Sequence, residues 1–350
     1  MRSNPYLMRA GLVRNVKTVE HLTTFVVSAV ATVLFVRTLL RLLGYPQIGG
    51  GGLHIAHMLW GGLLMLVAIL LLLGFVGPVV RPAAALTGGI GFGLFIDEIG
   101  KFVTSDNDYF YRPAAAIMYV VFVLLVLGVQ FLTSRRPIDP REHLANAVDH
   151  AVEGVSGGLS RRQLAIAAEQ LRRAGPDVAG WHETRALLAA TPRDDVELVA
   201  PVDALFSALR RAFDRFARHP WAPRVVIAVL VLQAIGAPAI AAGIRFERGQ
   251  LGADVPVAGV ALGSLLSATF TLRGALALRR NRARAVRLFE LSVLVSLLVT
   301  QVFQFAATQF AAVGGMLLDL TMLGLLEAEQ DRLRREAPAT IPASPSPSTG

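Results

Sequence analysis

Apolar residues fall in long blocks along this chain, separated by short polar joins. The blocks occupy residues 22–43, 53–75, 82–103 and 113–132, then 222–244, 256–277, 286–304 and 310–327. Each approaches the roughly 20 residues with which a helix crosses about 30 Å of hydrocarbon. The pattern predicts an all-α fold: a polytopic transmembrane helical bundle of about eight membrane helices. The last two blocks meet at Ala306-Ala307-Thr308-Gln309, a short uncharged join. One long bent helix, and seven crossings, is the alternative there.

A polar stretch interrupts the blocks at 133–220 and reads as a small helical insert. Ser160-Arg161-Arg162-Gln163 has the spacing of a capping box ahead of an Ala- and Leu-rich run. Farther on, Leu205, Phe206, Leu209, Phe213 and Phe216 share one helical face. The chain therefore divides into a transmembrane half (1–132), the insert (133–220), a second transmembrane half (221–328) and a polar tail (329–350). The tail is rich in Pro, Ser and Thr from Ala337 and is expected to be disordered.

Charge orients the bundle. With the N-terminus inside, the inner segments hold Arg2, Arg9, Arg14 and Lys17, Arg81, Arg135 and Arg136, then Arg279, Arg280, Arg282, Arg284 and Arg287. The outer joins hold mixed charge (Arg245, Glu247, Arg248, Asp254) or almost none. That asymmetry predicts cytoplasmic N- and C-termini in a bacterial-type plasma membrane. The first helix is read as uncleaved, because Ala29-Val30-Ala31, the one signal-type cleavage pattern, lies mid-block.

Composition changes this picture little. The chain of 350 residues is 54% hydrophobic with a formal charge of +9. Nucleic acid is not an expected partner: residues 133–220 hold 13 Arg against 12 Asp plus Glu, and nucleic-acid binding needs a basic face. The expected partners are the lipid bilayer, an ion or small solute, and a protein that meets the insert. There is no cysteine, which excludes disulfides and thiolate chemistry.

An internal repeat is also suggested. Trp60-Gly61-Gly62-Leu63-Leu64 aligns with Leu262-Gly263-Ser264-Leu265-Leu266, and Glu98-Ile99-Gly100-Lys101-Phe102 with Gln301-Val302-Phe303-Gln304-Phe305. Arg81 aligns with Arg284. All lie about 202–203 positions apart. Four crossings per half would make the halves parallel repeats.

The candidate chemistry gathers at the outer end of the third block. Asp97, Glu98 and Lys101 end that block, and Asp106 and Asp108 follow in the loop. His54 and His57 open the second block one helical turn apart, and Arg37 and Arg41 close the first. Topology alone brings these groups to one membrane face. Ionisable groups inside a membrane are costly and suggest function. His54, His57, Asp97 and Glu98 could ligate a divalent metal such as zinc, or neutral imidazole and carboxylate could relay protons. The structural alternatives are an Asp97–Lys101 ion pair at i, i+4, interfacial histidines, snorkelling arginines and turn-forming aspartates. Tyr109, Phe110, Tyr111 and Trp60 fit an interfacial aromatic belt. Gly88, Gly89, Gly91 and Gly93 read as a close-packing stripe. Asp319 is a lone acid deep in the last block, with Gln233 and Gln301 as further polar groups able to line a path.

The strings Ala56-His57-Met58-Leu59-Trp60-Gly61-Gly62-Leu63-Leu64-Met65 and Phe92-Gly93-Leu94-Phe95-Ile96-Asp97-Glu98-Ile99-Gly100-Lys101-Phe102, with Asp106-Asn107-Asp108-Tyr109-Phe110-Tyr111-Arg112-Pro113, resemble a family of uncharacterised prokaryotic polytopic integral membrane proteins. The resemblance covers mainly the first four blocks and implies membrane location without an activity. Three functions are weighed. Transport or sensing of an ion or small solute is preferred. The others are a membrane-embedded metal-dependent hydrolase at the outer leaflet and a non-enzymatic scaffold that signals to its insert.

Overall fold

A computed structural model describes residues 13–44, 56–77, 79–105, 109, 111, 113–134, 138–193, 222–247, 255–278 and 280–336. Every described element is helical apart from one isolated bridge between Leu159 and Arg193. The chain forms two compact units, Met1–Val199 and Ala200–Gly350.

In the first unit, α1 (Thr18–Leu42), α2 (His57–Gly74), α3 (Val80–Asp97), the short α4 (Ile99–Val103) and α5 (Ala114–Ser134) come first. Their composition is inside-out for a protein in water. The buried residues of α2 are Gly61 and Ala68, and those of α3 include Gly88, Gly89, Gly91 and Gly93. Outward on α2 stand Leu59, Leu63, Leu66, Leu70 and Leu73. Lipid is as apolar as leucine, so membrane helices associate through small residues that let backbones approach. The α3 glycines show this directly. A Cβ on Gly89 would lie 2.0 Å from Ser28 Oγ, and one on Gly93 2.5 Å from the Ala29 carbonyl of α1. A Cβ on Gly91 would lie 2.7 Å from the Gly61 carbonyl of α2. The stripe expected from the sequence thus serves two neighbours.

These contacts also give direction. On α1, Ser28 and Arg37 face Gly89 and Asp97 in the same order, so α1 and α3 run parallel. On α2, His57 and Ala68 face Asp97 and Gly88 in reverse order, so α2 is antiparallel to both. Arg37, His57 and Asp97 therefore share one end of the helices.

The opposite end carries the helices of the insert: α6 (Pro140–Gly157), α7 (Arg161–Ala174) and α8 (Trp181–Ala190). Both α6 and α7 start in capping boxes, Asp139 with Glu142 and, as expected, Ser160 with Gln163. Ala147, Ala151, Leu159, Ala167, Leu171 and Leu188 form their core. Helix α6 grips the segment that leads into α1. Arg14 donates to both oxygens of Glu142, at 2.9 and 2.6 Å. Asn146 bonds the Arg14 carbonyl (2.9 Å) and the Val16 amide (3.0 Å). Arg81, at the start of α3, pairs with Asp149. The Arg14 hydrogen bonds hold the Glu142 carboxyl down at about 2 against its burial. The apolar face from Leu205 to Phe216 lies outside the described residues, as does the tail from Ala337.

The second unit contains α9 (Ala222–Glu247), α10 (Val255–Ala277), α11 (Arg282–Val295), a π-helical turn (Ser296–Thr300), α12 (Gln301–Thr308), a 3₁₀ turn (Gln309–Ala312) and α13 (Val313–Glu336). Small and hydroxylated residues again face inward on α10: Gly259, Gly263, Ser264, Ser267, Thr271 and Gly274. Leu262, Leu265, Leu272 and Leu276 face outward. Buried Ser267, Thr271 and Ser292 bond one another between α10 and α11.

The join left open by the sequence is a hairpin. Ser296 and Gln301 both bond Asp319, and Arg282 pairs with Glu329. Positions before and after residue 308 therefore face each other in reverse order. The reversal occurs at Gln309, the one described non-glycine residue with positive φ, at 54°.

Four stretches are long and apolar enough to cross a membrane: α1, α2, α10 and Arg282–Gln330. The last is the hairpin, whose two arms fold against each other. Ala114–Val129 and Arg224–Ile240 are shorter apolar helices.

Candidate functional site

Helix α3 ends at Asp97 and α4 begins at Ile99, so the helix breaks at two consecutive carboxylates. Asp97 is 0% exposed and Glu98 1%. Burying two charges is tolerable only if each is paired and hydrogen-bonded.

Asp97 is saturated. Arg37 Nε donates to Oδ1 at 2.5 Å, and an Arg37 terminal nitrogen donates to the Asp97 carbonyl at 2.9 Å. His57 Nε2 lies 3.0 Å from Oδ2, and the Tyr109 hydroxyl donates to the same oxygen at 2.7 Å. Arg37 also stacks 4.5 Å above the centre of the Tyr109 ring, and Lys101 lies 5.5 Å from it.

Glu98 takes a different set. Lys101 Nζ donates to Oε1 at 2.7 Å, and the Met58 amide donates to Oε2 at 3.2 Å. His57 Nδ1 lies 3.4 Å from Oε1. The Asp97–Lys101 pair expected at i, i+4 is thus replaced by Glu98–Lys101 at i, i+3, because the helix breaks between the two acids. Met58 is the second residue of α2, where amides lack partners within the helix, and Glu98 fills one of those vacancies.

His57 therefore stands between two buried carboxylates, one at each ring nitrogen. A neutral imidazole has one N–H and one lone pair. One nitrogen would then turn its lone pair on a carboxylate. Each ring nitrogen of His57 thus has a carboxylate within 3.4 Å.

The structure brings Arg37, His57, Asp97, Glu98 and Lys101 together, and Arg41 stays exposed one turn beyond. His54, Asp106 and Asp108 lie outside the described residues. Among the described residues, no three of His, Asp and Glu are grouped so as to hold a metal ion. The expected set of His54, His57, Asp97 and Glu98 is therefore without support as a metal centre. Tyr109, expected in the aromatic belt, is instead a member of the site. Its place directly after the acidic loop was the available signal. Trp60 stays 57% exposed, as a belt residue would.

A second polar centre lies in the second unit. Asp319 is 0% exposed. It accepts from Gln233 Nε2 (3.0 Å), Gln301 Nε2 (2.9 Å) and Ser296 Oγ (2.7 Å). The three residues singled out as a possible polar path thus meet, and Ser296 joins them from the π turn. Comparison with protein-family models, curated proteins and solved structures finds no match for the chain.

Proposed function

We propose that this chain is a polytopic plasma-membrane protein that transports or senses an ion or small solute, with a proton at His57 as its working part. The observation that carries this is the placement of both His57 nitrogens against buried carboxylates. Among the described residues the site sets Arg37 and Lys101 beside Asp97 and Glu98. A proton gained or lost there changes its net charge by one, next to Arg37, Tyr109 and the α3–α4 break.

The proposed architecture is about eight crossings in two parallel four-helix halves, with both termini in the cytoplasm. Helix register supports the repeat independently of residue likeness. Ala68 faces Gly88, and 203 positions on, Thr271 bonds Ser292. That pair matches within one position. The α3–α4 break at Asp97 corresponds to the π turn that ends at Thr300. The docking of α6 on Arg14 and Arg81, at the end remote from His57, supports a cytoplasmic insert.

The test is ¹⁵N NMR of histidine-labelled protein in lipid, with His57→Gln to assign the signal. Both ring-nitrogen signals should show hydrogen bonding to carboxylates, and Asp97→Asn should move the Nε2 signal. An Nε2 signal unmoved by Asp97→Asn would overturn the proposal. Proteoliposomes then divide transport from sensing. Proton flux lost in His57→Gln marks carriage. pH-dependent amide exchange in α3 and α4 without flux marks sensing.

A further inference from the structure

Asp97 meets the guanidinium of Arg37 and the ring of His57. Among the described residues, Asp319 meets no charged side chain. Its three hydrogen-bond partners are two amides and a hydroxyl, and all three donate. A carboxylate that receives three donors is arranged as the ionised acceptor, which offers about four lone-pair positions. A buried anion in membrane helices needs a cation.

The surroundings supply oxygen ligands for one. Gln301 turns its Nε2 to Asp319, and among the described residues its buried Oε1 has no hydrogen-bond partner. The same holds for Gln233 and its Oε1. Gln301 is 4% exposed, so solvent does not serve its oxygen. Unserved buried polar atoms are rare and call for an explanation. Gly315 lets the backbone of α13 approach Gln301: a Cβ there would come within 2.9 Å of its Nε2. π turns recur at functional sites, where they expose groups that a regular helix conceals.

We propose that the second unit binds a dehydrated alkali cation, Na⁺ in the first instance, at Asp319, with Gln233 and Gln301 as oxygen ligands. Carboxylate and carbonyl oxygens suit hard cations. A single carboxylate among neutral oxygens matches one positive charge, whereas divalent sites recruit several carboxylates. The site is separate from the proton centre at His57, and its test is independent of it.

The experiment is thermal unfolding of the full chain in detergent, in NaCl against N-methylglucamine chloride at equal ionic strength and pH. A ligand that binds the folded state raises the midpoint saturably. Na⁺ should raise it in wild type and in His57→Gln, and not in Asp319→Asn. Gly315→Ala should weaken the apparent Na⁺ affinity about tenfold. Equal midpoints in the two salts, or the same Na⁺ effect in Asp319→Asn, would overturn the inference. So would a stabilisation fully reproduced by lowering pH without Na⁺, which would mean protonation only. Should Asp319→Asn fail to fold, ²³Na line broadening on wild type and Gln301→Leu decides. Broadening in wild type that Gln301→Leu loses supports the site, and its absence in wild type removes it.

Discussion

Asp97 and Asp319 are equally buried, yet the two units treat them in opposite ways. Around Asp97 the helices assemble formal charges: Arg37, His57, Glu98 and Lys101. Around Asp319 they assemble amides and hydroxyls. In the proposed repeat, Asp97, Glu98 and Lys101 correspond to Thr300, Gln301 and Gln304. Asp319 corresponds to Ala116 on α5. The polar centre of the second unit thus has neutral groups where the first has charged ones, and Asp319 comes from a different helix. The first centre meets its acids with charged side chains, and the second meets its acid with neutral donors.

The largest test of this contrast is truncation of each acid. Asp97→Ala leaves Arg37 without its carboxylate in a buried site and should cost about 3–5 kcal/mol. Asp319→Ala leaves neutral donors unpaired and should cost about 1–3 kcal/mol. Denaturant unfolding in mixed micelles measures both, and a costlier Asp319→Ala would reverse the contrast.

Next comes the close packing that both units share. Gly91→Ala and Gly259→Ala each drive a Cβ into a neighbour, at 2.7 Å from the Gly61 carbonyl and 2.3 Å from the Phe303 ring. Each should cost about 1–3 kcal/mol. Gly314→Ala meets nothing within 4 Å and should stay within about 0.5 kcal/mol. If Gly91→Ala is as mild as this control, the α2–α3 contact is looser than described.

Tyr109→Phe removes one hydroxyl from Asp97 and keeps the ring under Arg37. A loss of about 1–2 kcal/mol is expected. An unchanged protein would return Tyr109 to the aromatic belt and leave Asp97 to Arg37 and His57.

The smallest effect concerns the other end of the first unit, and amide exchange in α6 reads it. Burial lowers the pKa of His150 from 6.5, helped by Lys17 and Arg81 and opposed by Asp149. Its neutral form is favoured in the fold, so this contribution is complete above pH 6.5 and fades as pH falls below it. Glu142 is depressed from 4.5 to about 2. Its contribution is complete above 4.5 and is lost as pH falls through about 2. Acidification should therefore loosen α6 in two steps, with the Arg14 grip last to fail. Protection that rises on acidification would contradict both signs.

Much of this was legible in advance. The apolar blocks anticipated α1, α2, α10 and the apolar stretch from residue 282 to 330, and the Ser160–Gln163 spacing anticipated the start of α7. Helix ends located Arg37, His57, Asp97, Glu98 and Lys101 on one side. Partner choice was not legible. Lys101 sits one turn from Asp97 and from Glu98 alike, and only the break at residue 98 assigns it to Glu98. Tyr109 looked like any interfacial aromatic residue, because its hydroxyl partner lies across a loop.

By itself, the sequence determined where helices lie, which end of each carries charge, and that their inward faces are small. Those are properties of hydropathy and residue size, read position by position. Only the tertiary structure decided that residues 282–330 fold back at Gln309, that Asp97 meets cations, and that Asp319 meets amides. Such pairings depend on helix rotation and register to within an ångström or two. Glycines at 61, 91, 259 and 263 set that register by letting backbones touch, and the chain alone does not say which neighbour will occupy the space.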